Sequence, residues 1–218
     1  MQSNKGVMLS AIVTVFGVLT ASAASAAAAT TDGFDYKYYE QYNKELETKV
    51  VQEVKQFEME RAKVSSPWDN VTGEIWVSMD SVSSSAPIVV GHAAIVYDQQ
   101  HTIEAYWGPV SPIHKDGVQY YYNHWLKDKN KIALYGTTNS SLTKRTKAAK
   151  FAYSQINKPY SLVPFDKTGE SGYYCSKLVY LAWLKQGTDL EYQNMDPYVL
   201  PLEIAASKNT ILRYSSGF

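Results

Sequence analysis

The single cysteine of the chain, Cys175, is the residue with the most distinctive chemistry. The apolar run at 178–184 that follows it predicts a helix buried inside a domain, with Ser171 and Gly187 fitting the cap positions. Cys175 would then lie in the first turn, where unpaired backbone N–H groups and the helix dipole favour a thiolate and can bind an oxyanion. A free cysteine also serves as a small core hydrophobe, so position alone leaves both roles open.

A thiolate nucleophile needs a base, and the chain has four histidines. His92 follows Gly91 in the longest predicted strand, which would hold its side chain rigidly. The other three lie at a turn, in a Pro-flanked loop and in an aromatic segment: His101, His114 and His124. If residues 99–100 form a tight turn, Glu104 falls opposite Ile95 on the next strand, within reach of the His92 side. We predict that Glu104 orients His92, although a structural histidine and a surface carboxylate are the ordinary alternatives.

The elements that must position these residues follow from periodicity. Strands are predicted at 75–79, 88–97, 102–107, 132–135 and 211–214, because these segments are short and rich in β-branched and aromatic residues. Helices are predicted at 118–126, 142–156, 174–185 and 202–207. The mixed order favours an α+β fold with an antiparallel sheet over a doubly wound one.

Residues 34–63 predict a long amphipathic helix that precedes this domain, which we place at 67–218. Apolar side chains recur there in steps of three or four: Tyr39, Tyr42, Leu46, Val50, Val54 and Phe57. The helix carries no nucleophile, so we expect it to pack on its own domain and the protein to be a monomer. Its apolar stripe would otherwise be exposed.

The first 29 residues have the pattern of a cleaved signal peptide. Lys5 supplies the positive start, 7–19 are apolar, and 21–29 are small residues with several cleavage-type sequences. A retained anchor helix is the alternative, but the apolar stretch is short for a membrane span. We therefore expect a secreted or extracytoplasmic protein without stable membrane insertion.

Composition excludes several classes of partner for this chain of 218 residues. Its 21 basic and 21 acidic side chains leave no positive excess for nucleic acid. One cysteine cannot form an intramolecular disulfide or a four-cysteine zinc site. The sequence contains no metal-ligand spacing or glycine-rich phosphate loop, so we expect no metal and no cofactor.

Four separated motifs, read in order, resemble a known family. They are GHAAIVYD with IEAYW shortly after it, KPYSLVPF, GYYCSKLVYLAW, and a Val-Leu-Pro-Leu segment before the last strand. They are similar to those of the YiiX-type permuted papain-like amidases of the NlpC-type cysteine peptidase superfamily, in which His precedes Cys. The resemblance covers residues 73–214. Two positions depart from it: Gly73-Glu74 stands in place of Gly-Asp, and an arginine is missing near Tyr135-Gly136.

The resemblance implies a permuted papain-like fold, with a small antiparallel sheet packed on a buried nucleophile helix. It implies that Cys175 is the nucleophile, His92 the base and Glu104 the third member, with Tyr173 or Tyr174 lining the site. We expect a thiol hydrolase that cleaves an amide bond, with cell-wall peptide as a candidate substrate. An acyltransferase or lipid-directed thiol hydrolase would use the same residues, and a non-catalytic module that binds cell-wall glycopeptide through its aromatic residues is the third alternative.

Overall fold

One six-stranded antiparallel sheet organises the molecule. The computed structural model describes residues 36–60, 71–80, 91–163, 166–193 and 198–218. The helices are α1 (Tyr36–Glu60), α2 (Trp125–Asp128), α3 (Leu142–Ser154), α4 (Cys175–Leu184) and α5 (Pro201–Ala206). The strands are β1 (Ile75–Ser78), β2 (His92–Asp98), β3 (His101–Tyr106), β4 (Gly117–Tyr122), β5 (Ile132–Thr137) and β6 (Thr210–Ser216). Their order in the sheet is β4-β3-β2-β1-β5-β6, with every neighbouring pair antiparallel.

Most predicted elements are present within a few residues of their expected bounds. The exception is 118–126, which we predicted as a helix: residues 117–122 form the edge strand β4, paired with β3. Gly117 has φ +88°, and a Cβ there would meet the carbonyl oxygen of Lys158, so the chain turns sharply into this strand. The Tyr120 to Tyr122 run, which cannot share one helical face, suits an edge strand because aromatic residues favour extended backbone.

The sequence positions of two expected features lie outside the described residues. These are the signal peptide at 1–29 and the beginning of the second strand at 88–90. Of the helices that the structure describes, none has the length and apolar character needed to cross a membrane.

A β-bulge sets the register between β2 and β3. Asp98 pairs with His101 across the turn, but Val96 then pairs with Thr102, so β2 contains one extra residue. Our predicted pairing of Glu104 with Ile95 is therefore wrong, because Ile95 pairs with Ile103. Continuing this register places Glu104 beside Ala94, two residues from His92.

The sheet packs against helices that include the one beginning at Cys175. Helices α3 and α4 contact β2 and β3, and α5 contacts β1 and β6. Residues 175–183 of α4 are all buried. The indole N–H of Trp183 near the end of α4 donates a 3.1 Å hydrogen bond to the carbonyl oxygen of Gly73, beside β1. These contacts hold α4 against the sheet.

The N-terminal helix α1 packs on α5 and β6. Five of its six stripe residues are buried: Tyr39, Tyr42, Leu46, Val50 and Val54. The hydroxyl of Tyr42 also donates a 2.8 Å hydrogen bond to the buried carboxylate of Glu203 in α5. The other oxygen of Glu203 accepts the backbone N–H of Leu200, which caps α5. The apolar face of α1 is thus covered by its own chain.

Candidate active site

Cys175 is the first residue of α4 and is buried, with 3% of its surface exposed. Burial acts to raise the pKa of its thiol. The hydrogen bond and positive charge of His92, the backbone N–H of Ala93 and the hydroxyl of Ser176 oppose burial. Together they outweigh it, so the pKa of Cys175 lies below its ordinary value.

His92 begins β2 and stacks against two aromatic rings. Its centroid lies 4.4 Å from that of Tyr106 and 5.7 Å from that of Trp125, with both rings nearly parallel to the imidazole. Burial acts to lower the pKa of His92, but hydrogen bonds to Cys175 and Glu104 raise it above the ordinary value. A lowered thiol pKa beside a raised imidazole pKa favours the thiolate–imidazolium pair.

Gly91 explains how His92 comes so close to the neighbouring strand. Its φ is +89°, and a Cβ there would meet the carbonyl oxygen of Ser78. Only glycine adopts this conformation without steric cost, so β2 starts directly against the end of β1, with His92 paired to Ser78.

Glu104 is a buried carboxylate with four hydrogen-bond donors around it. Its Oε2 lies 2.8 Å from Nε2 of His92 and accepts a 2.8 Å hydrogen bond from the hydroxyl of Tyr106. Its Oε1 accepts from the hydroxyl of Thr102 and, at 3.1 Å, from the indole N–H of Trp125. Because Nε2 of His92 is occupied by Glu104, Nδ1 is the ring nitrogen left for the thiol.

These donors keep Glu104 ionised although it is buried. Burial acts to raise its pKa, but the hydrogen bond and charge of His92, the charge of Lys129 and the hydroxyl of Thr102 lower the pKa to about 2. The structure thus brings the three predicted residues together: His92 contacts the carboxylate of Glu104 and lowers the pKa of the Cys175 thiol.

Three further residues that contact Glu104 were not predicted from the sequence: Thr102, Tyr106 and Trp125. Thr102 and Tyr106 lie two residues before and after Glu104, so the period of two along β3 puts them on its face and offers a usable signal. Trp125 carries no such signal. It lies after β4 in the sequence, and only the turn that follows this strand brings its indole to Glu104. It stacks on both His92 and Trp76, with the Trp76 centroid 5.7 Å away.

Tyr173 and Tyr174 immediately precede the thiol, but both rings are buried. The hydroxyl of Tyr173 donates a 2.9 Å hydrogen bond to Gln155, and that of Tyr174 accepts one of 2.9 Å from the backbone N–H of Val199. In this structure both rings pack and anchor the start of α4, and direct contact with a substrate stays a prediction.

Two of the other histidines pair with nearby aspartates instead of the thiol. His101 contacts Asp98 at 2.9 Å, and His124 contacts Asp128 at 3.2 Å, with both pairs partly exposed. His114 lies in the loop before β4 with φ 53°. Among the described residues, His92 is the histidine that the pKa of Cys175 depends on.

Comparison with known proteins identifies the family and the fold. The family model described as "permuted papain-like amidase enzyme, YaeF/YiiX, C92 family" matches residues 77–208. A crystal structure of YiiX from Escherichia coli O157:H7 is similar, with a TM-score of 0.50 and 14% identity over 68% of this chain and 99% of that chain. No curated protein matches. The expected α+β, permuted papain-like fold is confirmed.

The YiiX structure is described as that of a metalloprotein. In the part of this chain that the structure describes, no group of three or more His, Cys, Asp or Glu side chains is arranged to hold a metal ion. The oxygens of Glu104 already accept four hydrogen bonds from protein groups. The described residues therefore do not fit a metal centre at this site.

Proposed function

Since this chain belongs to the YaeF/YiiX family of permuted papain-like amidases, we propose that it hydrolyses an amide bond through Cys175, His92 and Glu104. Family membership makes it an enzyme of the cysteine-hydrolase type. The observation that supports these three residues is the buried 2.8 Å contact of His92 with Glu104, beside a thiol whose pKa is lowered while the pKa of the imidazole is raised.

In the first step, the thiolate of Cys175 attacks the carbonyl carbon of the amide. A C–S bond forms, and the carbonyl electron pair moves to the oxygen, which becomes an oxyanion. Backbone N–H groups of the first turn of α4, which lack helical partners, bind this oxyanion. The His92 imidazolium then gives its proton to the amide nitrogen, the C–N bond breaks, and the amine leaves.

A thioester on Cys175 remains. Neutral His92 takes a proton from water, the hydroxide attacks the thioester carbonyl, and the thiolate leaves as the carboxylic acid forms. Glu104 stays ionised throughout because its pKa is about 2. It holds the imidazole with Nδ1 toward the sulfur and stabilises the imidazolium of each cycle, so its role is orientation and charge.

The setting of this reaction is also part of the proposal. We propose that residues 1–29 direct the chain out of the cytoplasm, since a charged start, an apolar stretch and small residues follow one another there. Outside the cytoplasm, the peptides of the cell wall are an abundant source of amide bonds. A cell-wall peptide is accordingly the substrate class that we would test first.

Mass spectrometry of the intact protein tests the function directly. The wild type and Cys175→Ala are each incubated with wall peptides and, separately, with acyl lipids. We expect an acyl adduct on Cys175 of the wild type and release of amine from the peptides. An adduct formed only from acyl lipids would contradict amide hydrolysis and indicate an acyltransferase or a lipid-directed thiol hydrolase. Equal product release by Cys175→Ala would contradict the nucleophile assignment.

A further inference from the structure

Helix α3 carries an unbalanced positive charge. Its 13 residues include no acidic side chain and four basic ones: Lys144, Arg145, Lys147 and Lys150. Lys147 and Lys150 are exposed, whereas the buried residues of α3 are alanines, on the side that packs against α4 and β2. Within the described part of the chain, none of the four basic side chains forms an ion pair. The outer side of α3 therefore presents unpaired positive charge to solvent.

This distribution of charge costs the helix stability. Lys144 lies in the first turn, at the positive end of the helix dipole, where acidic residues are favoured. Lys147 is three residues from both Lys144 and Lys150, a spacing at which side chains are neighbours and like charges repel each other. Helix α1, by contrast, mixes acidic and basic residues and pairs Glu40 with Lys44 at 2.8 Å. The formation of α3 thus does not account for its lysines, and charge complementarity indicates an anionic partner.

Two exposed apolar side chains accompany the lysines on α3. Leu142 at the start of the helix is 68% exposed, and Tyr153 near its end is 46% exposed. Lys150 is eight residues after Leu142 and three before Tyr153, so all three side chains lie within about a quarter-turn of one another around the helix axis. The α3 surface, which we define by five residues, therefore combines positive charge with exposed apolar groups: Leu142, Lys144, Lys147, Lys150 and Tyr153.

We propose that the α3 surface binds an anionic phospholipid bilayer, so that the protein lies on the membrane without spanning it. The lysine ammonium groups bind lipid phosphates, while the leucine and the tyrosine enter the boundary between headgroups and acyl chains. A soluble polyanion offers the same charges but no apolar phase for Leu142 and Tyr153, so these two exposed side chains favour the bilayer. The inference does not depend on the proposed amide hydrolysis.

Co-sedimentation with lipid vesicles tests the proposal without any turnover. Every sample lacks residues 1–29, because the apolar stretch at 7–19 would itself bind lipid and all described helices and strands begin after it. Vesicles of phosphatidylcholine are compared with vesicles that also contain anionic phosphatidylglycerol. We expect the protein to bind the anionic vesicles at least about tenfold more tightly, because a cluster of lysines is attracted to anionic lipid. High salt should remove this difference by screening the charges.

Two matched double variants decide whether α3 is the binding surface. Lys147→Gln with Lys150→Gln should weaken binding to the anionic vesicles more than about tenfold, since each lysine near an anionic surface contributes roughly fivefold in affinity. Lys147→Arg with Lys150→Arg keeps the charge and should retain the binding. Lys55→Gln with Lys127→Gln is the control: it removes the same charge from exposed positions in α1 and α2 and should keep most of the affinity. Thermal unfolding of each variant checks that it is folded.

Leu142→Gln distinguishes a bilayer from a soluble anionic polymer. It should weaken binding to the anionic vesicles several-fold but leave binding to inorganic polyphosphate unchanged, because only the bilayer offers an apolar phase. Three outcomes would overturn the inference. They are equal binding to neutral and anionic vesicles, equal losses in the α3 double variant and its control, and vesicle binding that Leu142→Gln does not change. Because these measurements need no catalysis, they are independent of the adduct experiment, which tests the proposed function itself.

Discussion

Nε2 of His92 and Oε2 of Glu104 meet at 2.8 Å across two neighbouring strands, although the two residues are not paired in the sheet. The contact is diagonal and depends on the bulge at Tyr97. Without that extra residue, Glu104 would pair with Ile95, and its side chain would leave the opposite face of the sheet from His92. The bulge is thus what puts the carboxylate on the imidazole's face.

Cys175 is expected to react with iodoacetamide in the folded protein near neutral pH, because the hydrogen bond and charge of His92 lower the pKa of its thiol. In His92→Ala these contributions are lost, so the pH midpoint of alkylation should move upward. At about pH 6 the alkylation rate should fall roughly tenfold or more. Rates are followed by mass spectrometry against an unfolded sample. Native alkylation slower than that of the unfolded chain would contradict the activated thiol.

Cys175, His92 and Glu104 should behave as one unit in turnover. Cys175→Ala and His92→Ala should each reduce kcat/KM by about a thousandfold or more, whereas Glu104→Gln should leave measurable activity, roughly a hundredfold below the wild type. The double variant of Cys175 and His92 should be no slower than Cys175→Ala alone. An additional loss equal to the full His92 effect would show that the two residues act independently.

Part of the candidate site could be predicted from the sequence alone. Cys175 at a helix start and His92 after a strand glycine were recognisable from local patterns. Glu104 does contact His92, but its predicted pairing with Ile95 was wrong, because neither the bulge nor its effect on the strand faces has a local signature: no glycine marks residue 97. Residues 118–122 were wrongly predicted as part of a helix, because β4 is defined by its pairing with β3, which periodicity does not report.

Glu104 should make stability depend on pH in the acidic range. Its pKa is about 2 in the folded protein, below its value in an unfolded chain. Its stabilising contribution is therefore complete above the unfolded pKa and is lost as the pH falls toward about 2. The loss corresponds to about 3 kcal/mol of unfolding free energy. In urea unfolding between about pH 6 and pH 3, the free energy of unfolding should depend less steeply on pH for Glu104→Gln than for the wild type. Equal pH dependence in the two proteins would contradict the stabilising role of ionised Glu104. Glu45 is exposed in α1, so Glu45→Gln is the control and should follow the wild type.

Trp125→Phe should preserve the packing on His92 but remove the indole N–H that donates to Glu104. We expect kcat/KM to fall roughly tenfold, since a lost hydrogen bond to a buried charged group costs about 1.5–3 kcal/mol. The acidic limb of the pH profile should also move upward because the carboxylate is less stabilised. Trp183→Phe is the control: it removes an indole hydrogen bond to Gly73 at a distance from the carboxylate and should leave the profile's limbs in place. Identical shifts in both variants would indicate a general structural effect.

The apolar stripe of α1 is covered by α5 and β6 of the same chain, so the protein is expected to be a monomer. Removal of the helix would expose the surface that now buries Tyr42, Leu46, Val50 and Val54. It would also leave Glu203 without the hydroxyl of Tyr42. A chain that starts near residue 67 should consequently aggregate or unfold at a lower temperature than one that retains α1. Light scattering after size exclusion measures aggregation, and thermal unfolding gives the unfolding temperature.

Tyr42→Phe removes the hydroxyl that binds Glu203 and should also lower the unfolding temperature. Tyr153→Phe, which removes an exposed hydroxyl from α3, is its control. A dimer that becomes a well-behaved monomer when α1 is removed would show instead that the helix joins two copies.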